Sequence, residues 1–97
     1  MKPSPFILKL SEILETPENG QMISWTESER SFVVHEPYEF SSTLLPKYFR
    51  HSNYGSFLRQ LNFYSFVKVK SSSETVNEFY HPLFVRGGDD QFKLIKR

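Results

Sequence analysis

The chain has 97 residues, the size of one small domain, with 38% hydrophobic, 16% aromatic and 24% charged residues. This composition is too apolar and aromatic for a disordered tail, and no apolar run is long enough for a transmembrane span or a signal-peptide core. The absence of cysteine excludes a disulfide scaffold, a zinc finger and a thiol nucleophile. The formal net charge is +1, whereas proteins that bind nucleic acid typically have a surplus of basic residues.

The first half of the chain predicts a helix and a β-hairpin. Ser4 suits a helix N-cap and Pro5 a first turn, and the apolar residues that follow are spaced as one buried stripe up to Leu14. Turn-forming residues at 16–20 end this helix. Two short alternating runs, residues 22–25 and 31–35, then predict paired strands.

The second half predicts two helices and two more strands. A helix over residues 37–45 should end or bend at Pro46, which lacks an amide donor, and a second helix covers about residues 52–63. Strands are expected at residues 65–69 and 78–81, joined by an exposed loop at about 70–77. The apolar residues near the C-terminus, Phe92, Leu94 and Ile95, fit either a short docked segment or a fraying end.

This order of elements describes one domain over residues 1–97 of α+β class. We expect a winged helix-turn-helix, in which a three-helix bundle is capped by a small four-stranded antiparallel sheet.

The net charge is distributed unevenly along the chain. Residues 1–46 hold three bases and seven acids, whereas residues 47–70 hold five bases and no acid, a net charge of +5. Residues 71–97 hold four of each. A basic run by itself is as compatible with a solvated face as with a binding surface.

The helix predicted at 52–63 is amphipathic in an unusual way. At 100° per residue, an arc of about 120° is apolar and core-facing, and it consists of Tyr54, Phe57, Leu58, Leu61 and Tyr64. We call the remaining arc the polar arc; it consists of Asn53, Gly55, Ser56, Arg59, Gln60, Asn62 and Phe63. Any amphipathic helix has a polar outer face, but a face meant only for water usually mixes acids with bases. The polar arc has no acid, and its arginine and amides are the groups that read base edges and hold phosphates.

Phe63 is the one aromatic residue of the polar arc. Its ring suits contact with a thymine methyl group or with a neighbouring protein.

The same region carries a resemblance to a known family. Residues 40–69, FSSTLLPKYFRHSNYGSFLRQLNFYSFVKV, and above all LPKYFRHSNYGSFLRQLNFY at 45–64, resemble the signature of heat shock transcription factor DNA-binding domains. The similarity extends to the first helix, the hairpin, the segment EFYHPLFVRG at 78–87 and the ending IKR at 95–97.

The resemblance implies a role for individual residues. Arg59 matches the recognition-helix arginine that reads the guanine of the family's nGAAn unit in the major groove. The positions that match contacts to phosphates or supporting contacts are Arg50, His51, Asn53, Ser56, Gln60, Asn62, Tyr64 and Lys68. Lys47 lies in the same basic stretch, and Arg97 matches the basic domain end, where a phosphate contact is expected. Pro46 matches a proline that distorts the second helix.

The resemblance also implies partners and a compartment. The expected partner is double-stranded DNA with inverted nGAAn repeats, known as heat shock elements. The expected compartment is the nucleus. We expect no cofactor, no metal, no membrane association and no enzymatic activity. The family forms homotrimers through apolar heptads downstream of this domain, which are absent from these residues, so the isolated domain is expected to be monomeric.

Three features depart from the family pattern. Ser65 stands where glycine is usual, Glu29 and Arg30 replace small residues in the hairpin turn, and the wing at residues 70–77 is short. The resemblance implies a wing that serves contacts between adjacent domains, a role that a short wing does not favour.

Other functions fit the sequence less well. The three histidines, His35, His51 and His81, are far apart and have no cysteine or carboxylate at ligand spacing. No nucleophile elbow or phosphate-binding loop occurs. Two rivals are a winged helix that binds only an acidic protein, and an Ets-like winged helix, a family that typically has two recognition arginines where this chain has Arg59 alone.

Overall fold

The computed structural model describes residues 2–70 and 76–97, so the predicted wing loop lies mostly outside the described residues. The first helix, α1, spans Pro5–Glu15 and begins where the sequence predicts. The Ser4 side chain accepts hydrogen bonds from the amides of Phe6 and Ile7. Phe6, Ile7, Leu10 and Ile13 form its buried stripe.

Four short strands form one antiparallel sheet. They are β1 (Ile23–Trp25), β2 (Ser31–Val34), β3 (Val67–Lys68) and β4 (Asn77–Tyr80), in the spatial order β1-β2-β4-β3. Trp25 pairs with Phe32 and Phe32 with Phe79, and both phenylalanines are buried. The sheet therefore contributes its inner aromatic face to the core.

The second helix, α2, continues through Pro46, so the predicted end at residue 45 was wrong, whereas the expected distortion near Pro46 is present. It consists of an α segment at Pro37–Glu39, a π segment at Phe40–Leu44 and an α segment at Leu45–Phe49. The amide of Leu45 donates to the carbonyl of Phe40, five residues earlier. Because proline has no amide hydrogen and crowds the preceding turn, a widened turn allows the helix to accommodate it.

The third helix, α3, spans Tyr54–Phe63 and ends in a Schellman motif. The amide of Phe66 donates to the carbonyl of Leu61, and the amide of Ser65 to that of Asn62. Ser65 has φ of 67°, a left-handed conformation that glycine adopts without a steric cost. This turn explains why the predicted strand at 65–69 shrinks to Val67–Lys68, and why glycine is usual in the family at this position.

The C-terminal segment is docked rather than frayed. A 3-10 helix spans Asp89–Leu94, and Phe92 and Ile95 are buried. The ring of Phe92 stacks on that of Phe84, with centroids 5.0 Å apart, and Phe84 stacks on Trp25 at 5.2 Å. This aromatic chain holds the end of the domain against the sheet.

The expected fold class is confirmed. Helices α1, α2 and α3 pack around an aromatic core that the four-stranded sheet covers, which is an α+β winged-helix arrangement. Among the residues that the structure describes, no helix combines the length and apolar character that a membrane crossing requires.

Candidate nucleic-acid interface

Helix α3 presents the polar arc to solvent, as the sequence predicts. Phe57 and Leu61 are buried against the core, and Tyr54 and Leu58 pack partly buried beside them. The Asn53 side chain caps the helix by accepting the amide hydrogen of Ser56, with 3.0 Å between Oδ1 and N. The core contacts and this cap fix the direction in which the polar arc points.

Arg59, the expected base reader, is exposed on this arc. Its Nη2 donates to Ser56 Oγ over 3.1 Å, one helical turn earlier. A guanidinium has five N–H donors, so this single bond leaves the others available. The bond to Ser56 thus holds the arginine on the outer face of α3.

The turn that precedes α3 contains three predicted DNA contacts. Arg50 closes α2 with φ of 65° and is exposed. His51 Nδ1 accepts the Asn53 amide hydrogen over 3.1 Å. These bonds order the turn and leave the side-chain Nδ2 of Asn53 and His51 Nε2 unbonded to any residue that the structure describes.

A pocket of about 220 Å³ lies beside the turn, and His51 and Gln60 form part of its lining. Lys9 of α1 also lines it, with its Nζ 5.9 Å from the centre of the Phe49 ring. Lys9 is not among the residues predicted from the sequence, because it lies in the acidic first half of the chain. Only the packing of α1 against α3 brings this cation beside His51 and Gln60.

At the exit from α3, two predicted contacts differ in accessibility. Tyr64 is only 9% exposed, its ring stacks on Phe6 at 5.6 Å, and its hydroxyl accepts from Ser4 Oγ over 2.9 Å. The phenolic proton remains for a donor role, but most of the side chain serves packing. Lys68 in β3 is exposed, as a phosphate contact requires, and so is Asn62.

Phe63 has a partner that the sequence did not predict. The guanidinium carbon of Arg97 lies 4.9 Å from the centre of the Phe63 ring, and Phe63 remains 53% exposed. The end of the domain therefore meets the end of α3.

The five cations of residues 47–70 form no ion pair with a residue in the described ranges 2–70 and 76–97. The ion pair that is present joins Arg86 and Glu29 over 2.9 Å, at the hairpin turn, where Glu29 has φ of 61°. Within the described part of the chain, no carboxylate in contact with these cations neutralises their charge.

The shifted pKa values belong to Tyr54 and His81, which pack in or against the core. Burial raises the pKa of Tyr54 to about 12 and lowers the pKa of His81 below its ordinary value. His81 Nδ1 accepts the Leu83 amide hydrogen, which favours the neutral ring. The arrangement around α3 consists of fixed cations and amides, which suits binding of an anion with hydrogen-bonding edges.

Comparison with known proteins agrees with this geometry. The profile of the family described as HSF-type DNA-binding matches residues 6–97. Heat stress transcription factor A-7b of Arabidopsis thaliana is 43% identical over 95 residues, which cover 98% of this chain and 33% of that protein. Heat shock factor protein HSF8 of Solanum peruvianum is 42% identical over 95 residues, covering 98% of this chain and 18% of that protein. The chain thus spans a third or less of the length of these curated relatives.

Solved structures share the fold and include DNA complexes. Skn7 of Chaetomium thermophilum, crystallised with HSE DNA, has a TM-score of 0.91 and 42% identity, covering 97% of this chain and 100% of that one. A heat shock transcription factor in complex with DNA has a TM-score of 0.71 and 38% identity, covering 84% of this chain and 98% of that one. A profile match over residues 6–97 and this structural similarity lead to one conclusion: the chain belongs to the HSF-type DNA-binding family.

Proposed function

We propose that residues 1–97 act as one winged-helix domain that binds double-stranded DNA sequence-specifically, with α3 in the major groove. The observation that carries this proposal is the polar arc itself, which has no carboxylate and holds an exposed arginine in place through Ser56. Arginine matches guanine O6 and N7 with two parallel hydrogen bonds, and this is the commonest specific contact in the major groove.

The proposed roles divide into base reading and phosphate binding. Arg59 reads the guanine of an nGAAn unit. Affinity and register come from contacts to phosphates or supporting contacts made by Arg50, His51, Asn53, Ser56, Gln60, Asn62, Tyr64 and Lys68. Phosphate contacts position a protein on the duplex without carrying sequence information, so the two groups should respond differently to a change of DNA sequence.

Inverted nGAAn repeats are the proposed target. The crystallised Skn7 of Chaetomium thermophilum was bound to HSE DNA in one structure and to SSRE DNA in another. Those complexes support a DNA target for this chain, because the fold and more than 40% of the residues are shared.

The proposed setting is a nuclear transcription factor without enzymatic activity. The relatives are transcription factors of which this domain covers a third or less, and we propose a homotrimer formed through residues beyond this domain. The isolated domain would be monomeric and bind one unit weakly, because linked domains gain affinity from high effective concentration.

Fluorescence anisotropy at about 0.15 M salt tests the proposal, with duplexes that carry inverted nGAAn repeats and scrambled duplexes of the same composition. We expect tighter binding to the repeats, and each change of a guanine in a unit should cost about 1–3 kcal/mol. Equal affinity for both duplexes would overturn the proposal. A GGA-type duplex in the same assay tests the Ets-like alternative, and binding to an acidic protein without DNA binding would favour a protein-contact domain.

A further inference from the structure

The stack of Arg97 on Phe63 joins two distant parts of the chain at one end of α3. Phe63 is the last residue of α3, and Arg97 lies 34 positions later, with its guanidinium carbon 4.9 Å from the ring centre. A guanidinium at this distance over an aromatic face makes a cation–π contact. The ring is 53% exposed, so one side of the pair remains open to solvent.

The docked C-terminal segment limits where Arg97 can go. Ile95 is 3% exposed and Phe92 is 2% exposed, and the Ile95 amide donates to the Phe92 carbonyl over 3.1 Å. Arg97 thus follows a buried anchor by two residues, so its side chain cannot move far from the end of α3. The contact with Phe63 then favours one position of the Arg97 side chain within this range.

Phe63 also relates Arg97 to the proposed base reader. Arg59 and Phe63 are four residues apart on α3, and residues at this spacing are neighbours on one helix face. The guanidinium carbon of Arg97 lies over the Phe63 ring, and the N–H donors of a guanidinium lie in its plane and point outward from its edge. Phosphates border the groove in which Arg59 would read bases, and Phe63, over which the Arg97 guanidinium lies, is one helical turn from Arg59.

We propose that Phe63 is a positioning residue that holds the Arg97 guanidinium at the C-terminal end of α3, where it donates to a DNA phosphate beside the recognised unit. This inference rests on the proposed function and extends it. It gives an apolar residue of the polar arc a role in which it does not itself contact DNA.

A double-mutant cycle tests this role with Phe63→Ala, Arg97→Ala and the double variant. Every protein carries the same short Gly-Ser extension, so that no terminal carboxylate lies beside Arg97. Binding to the nGAAn duplex is measured at several salt concentrations. Arg97→Ala should reduce the salt slope by about 0.9, and Phe63→Ala should weaken binding about two- to fivefold, the range that a surface cation–π contact supports.

The coupling between the two substitutions decides the outcome. Phe63→Ala should have no further effect in the Arg97→Ala background, and Phe63→Trp should retain wild-type affinity because its ring also stacks a guanidinium. An equal loss from Phe63→Ala in both backgrounds would show that Phe63 contacts DNA directly and would overturn the positioning role. An unchanged slope in Arg97→Ala would overturn the phosphate contact. Lys93→Ala, which removes one exposed cation from the same segment, is the matched control and should keep the slope.

A readout without DNA separates this inference from the proposed function. Stacking should shift the Arg97 side-chain proton resonances upfield in NMR spectra of the free protein, and Phe63→Leu should abolish that shift. An absent shift in the wild type would overturn the stack. If the shift is present but the wild type does not prefer nGAAn repeats, the proposed function fails while the stack remains.

Discussion

Helices α1 and α3 are built in the same way on the inside and differently on the outside. Each begins at a side-chain N-cap, Ser4 for α1 and Asn53 for α3, and each buries one apolar stripe. The exposed side of α1 includes Leu8, Lys9, Glu12 and Glu15, which mix apolar, basic and acidic groups. The polar arc of α3 has no acid.

The exposed groups of the two helices also have different partners. Glu15 of α1 accepts a hydrogen bond from Trp25 Nε1 over 3.1 Å, so an outward acid of α1 ties the helix to the sheet. On α3, the hydrogen bond of Arg59 is to Ser56, another residue of the polar arc, and so it does not tie the helix to another element. Burial of an apolar stripe therefore accounts for the inner side of both helices, and the two helices differ on their outer sides.

The inner faces should prove equivalent when each loses a buried leucine. Leu10→Ala in α1 and Leu61→Ala in α3 should each lower the free energy of unfolding by about 2–5 kcal/mol, because both side chains are almost fully buried. Urea denaturation measures this loss. A cost below 1 kcal/mol for either variant would mean that the two helices do not share one core.

The outer faces should prove different when each loses a charge. Arg59→Ala should weaken binding to the nGAAn duplex by about 1–3 kcal/mol and relax the preference for guanine, because the bidentate contact is lost. Glu12→Ala on α1 is the control and should leave affinity unchanged. Anisotropy titrations with the intact and guanine-substituted duplexes measure both effects, and equal losses on the two duplexes would remove Arg59 from base reading.

The Asn53 cap allows stability and binding to be separated at one position. Asn53→Ala should cost about 1 kcal/mol of stability, because the Ser56 amide loses its acceptor. Asn53→Asp keeps an acceptor and should retain stability, but it adds a carboxylate to the polar arc and should weaken DNA binding by repulsion. Thermal unfolding and DNA titration of both variants test this, and wild-type affinity in Asn53→Asp would contradict a DNA-facing arc.

The smallest expected effect is at the exit from α3. Ser65→Gly should raise the free energy of unfolding by about 0.5–1 kcal/mol, because it relieves the left-handed strain at φ of 67° but also adds entropy to the unfolded chain. Ser65→Val should lower stability, since a β-branched residue tolerates this conformation poorly. Chemical denaturation measures the free energy of unfolding of both variants. A destabilised glycine variant would show that the serine side chain itself stabilises this turn.

Much of the fold was predictable from local patterns, and the errors have physical causes. The α1 cap and stripe and the inward residues of α3 follow from helical periodicity. The course of α2 was mispredicted because proline usually ends a helix, and a π turn that admits it leaves no mark in the periodicity. The turn after α3 was not predicted, because a helix of this kind normally ends at a glycine and this chain has Ser65 at the left-handed position.

The candidate interface also has a part that the sequence predicts and a part that it does not. Its central part, Arg59 and its neighbours on α3, lies on one continuous helix, where spacing along the chain determines spacing in space. The burial of Tyr64 beside Ser4, the pocket that Lys9 and His51 share, and the contact of Arg97 with Phe63 each join residues that are far apart in the chain.

The sequence by itself determined the α+β class, the acid-free arc of α3 and the resemblance to a family, because these are properties of contiguous residues. Only the tertiary structure decided which distant cations reach α3. Lys9 arrives through the packing of α1, and Arg97 through the burial of Phe92 and Ile95. The physical reason is that long-range contacts depend on how apolar faces pack together, which the order of residues along the chain does not state.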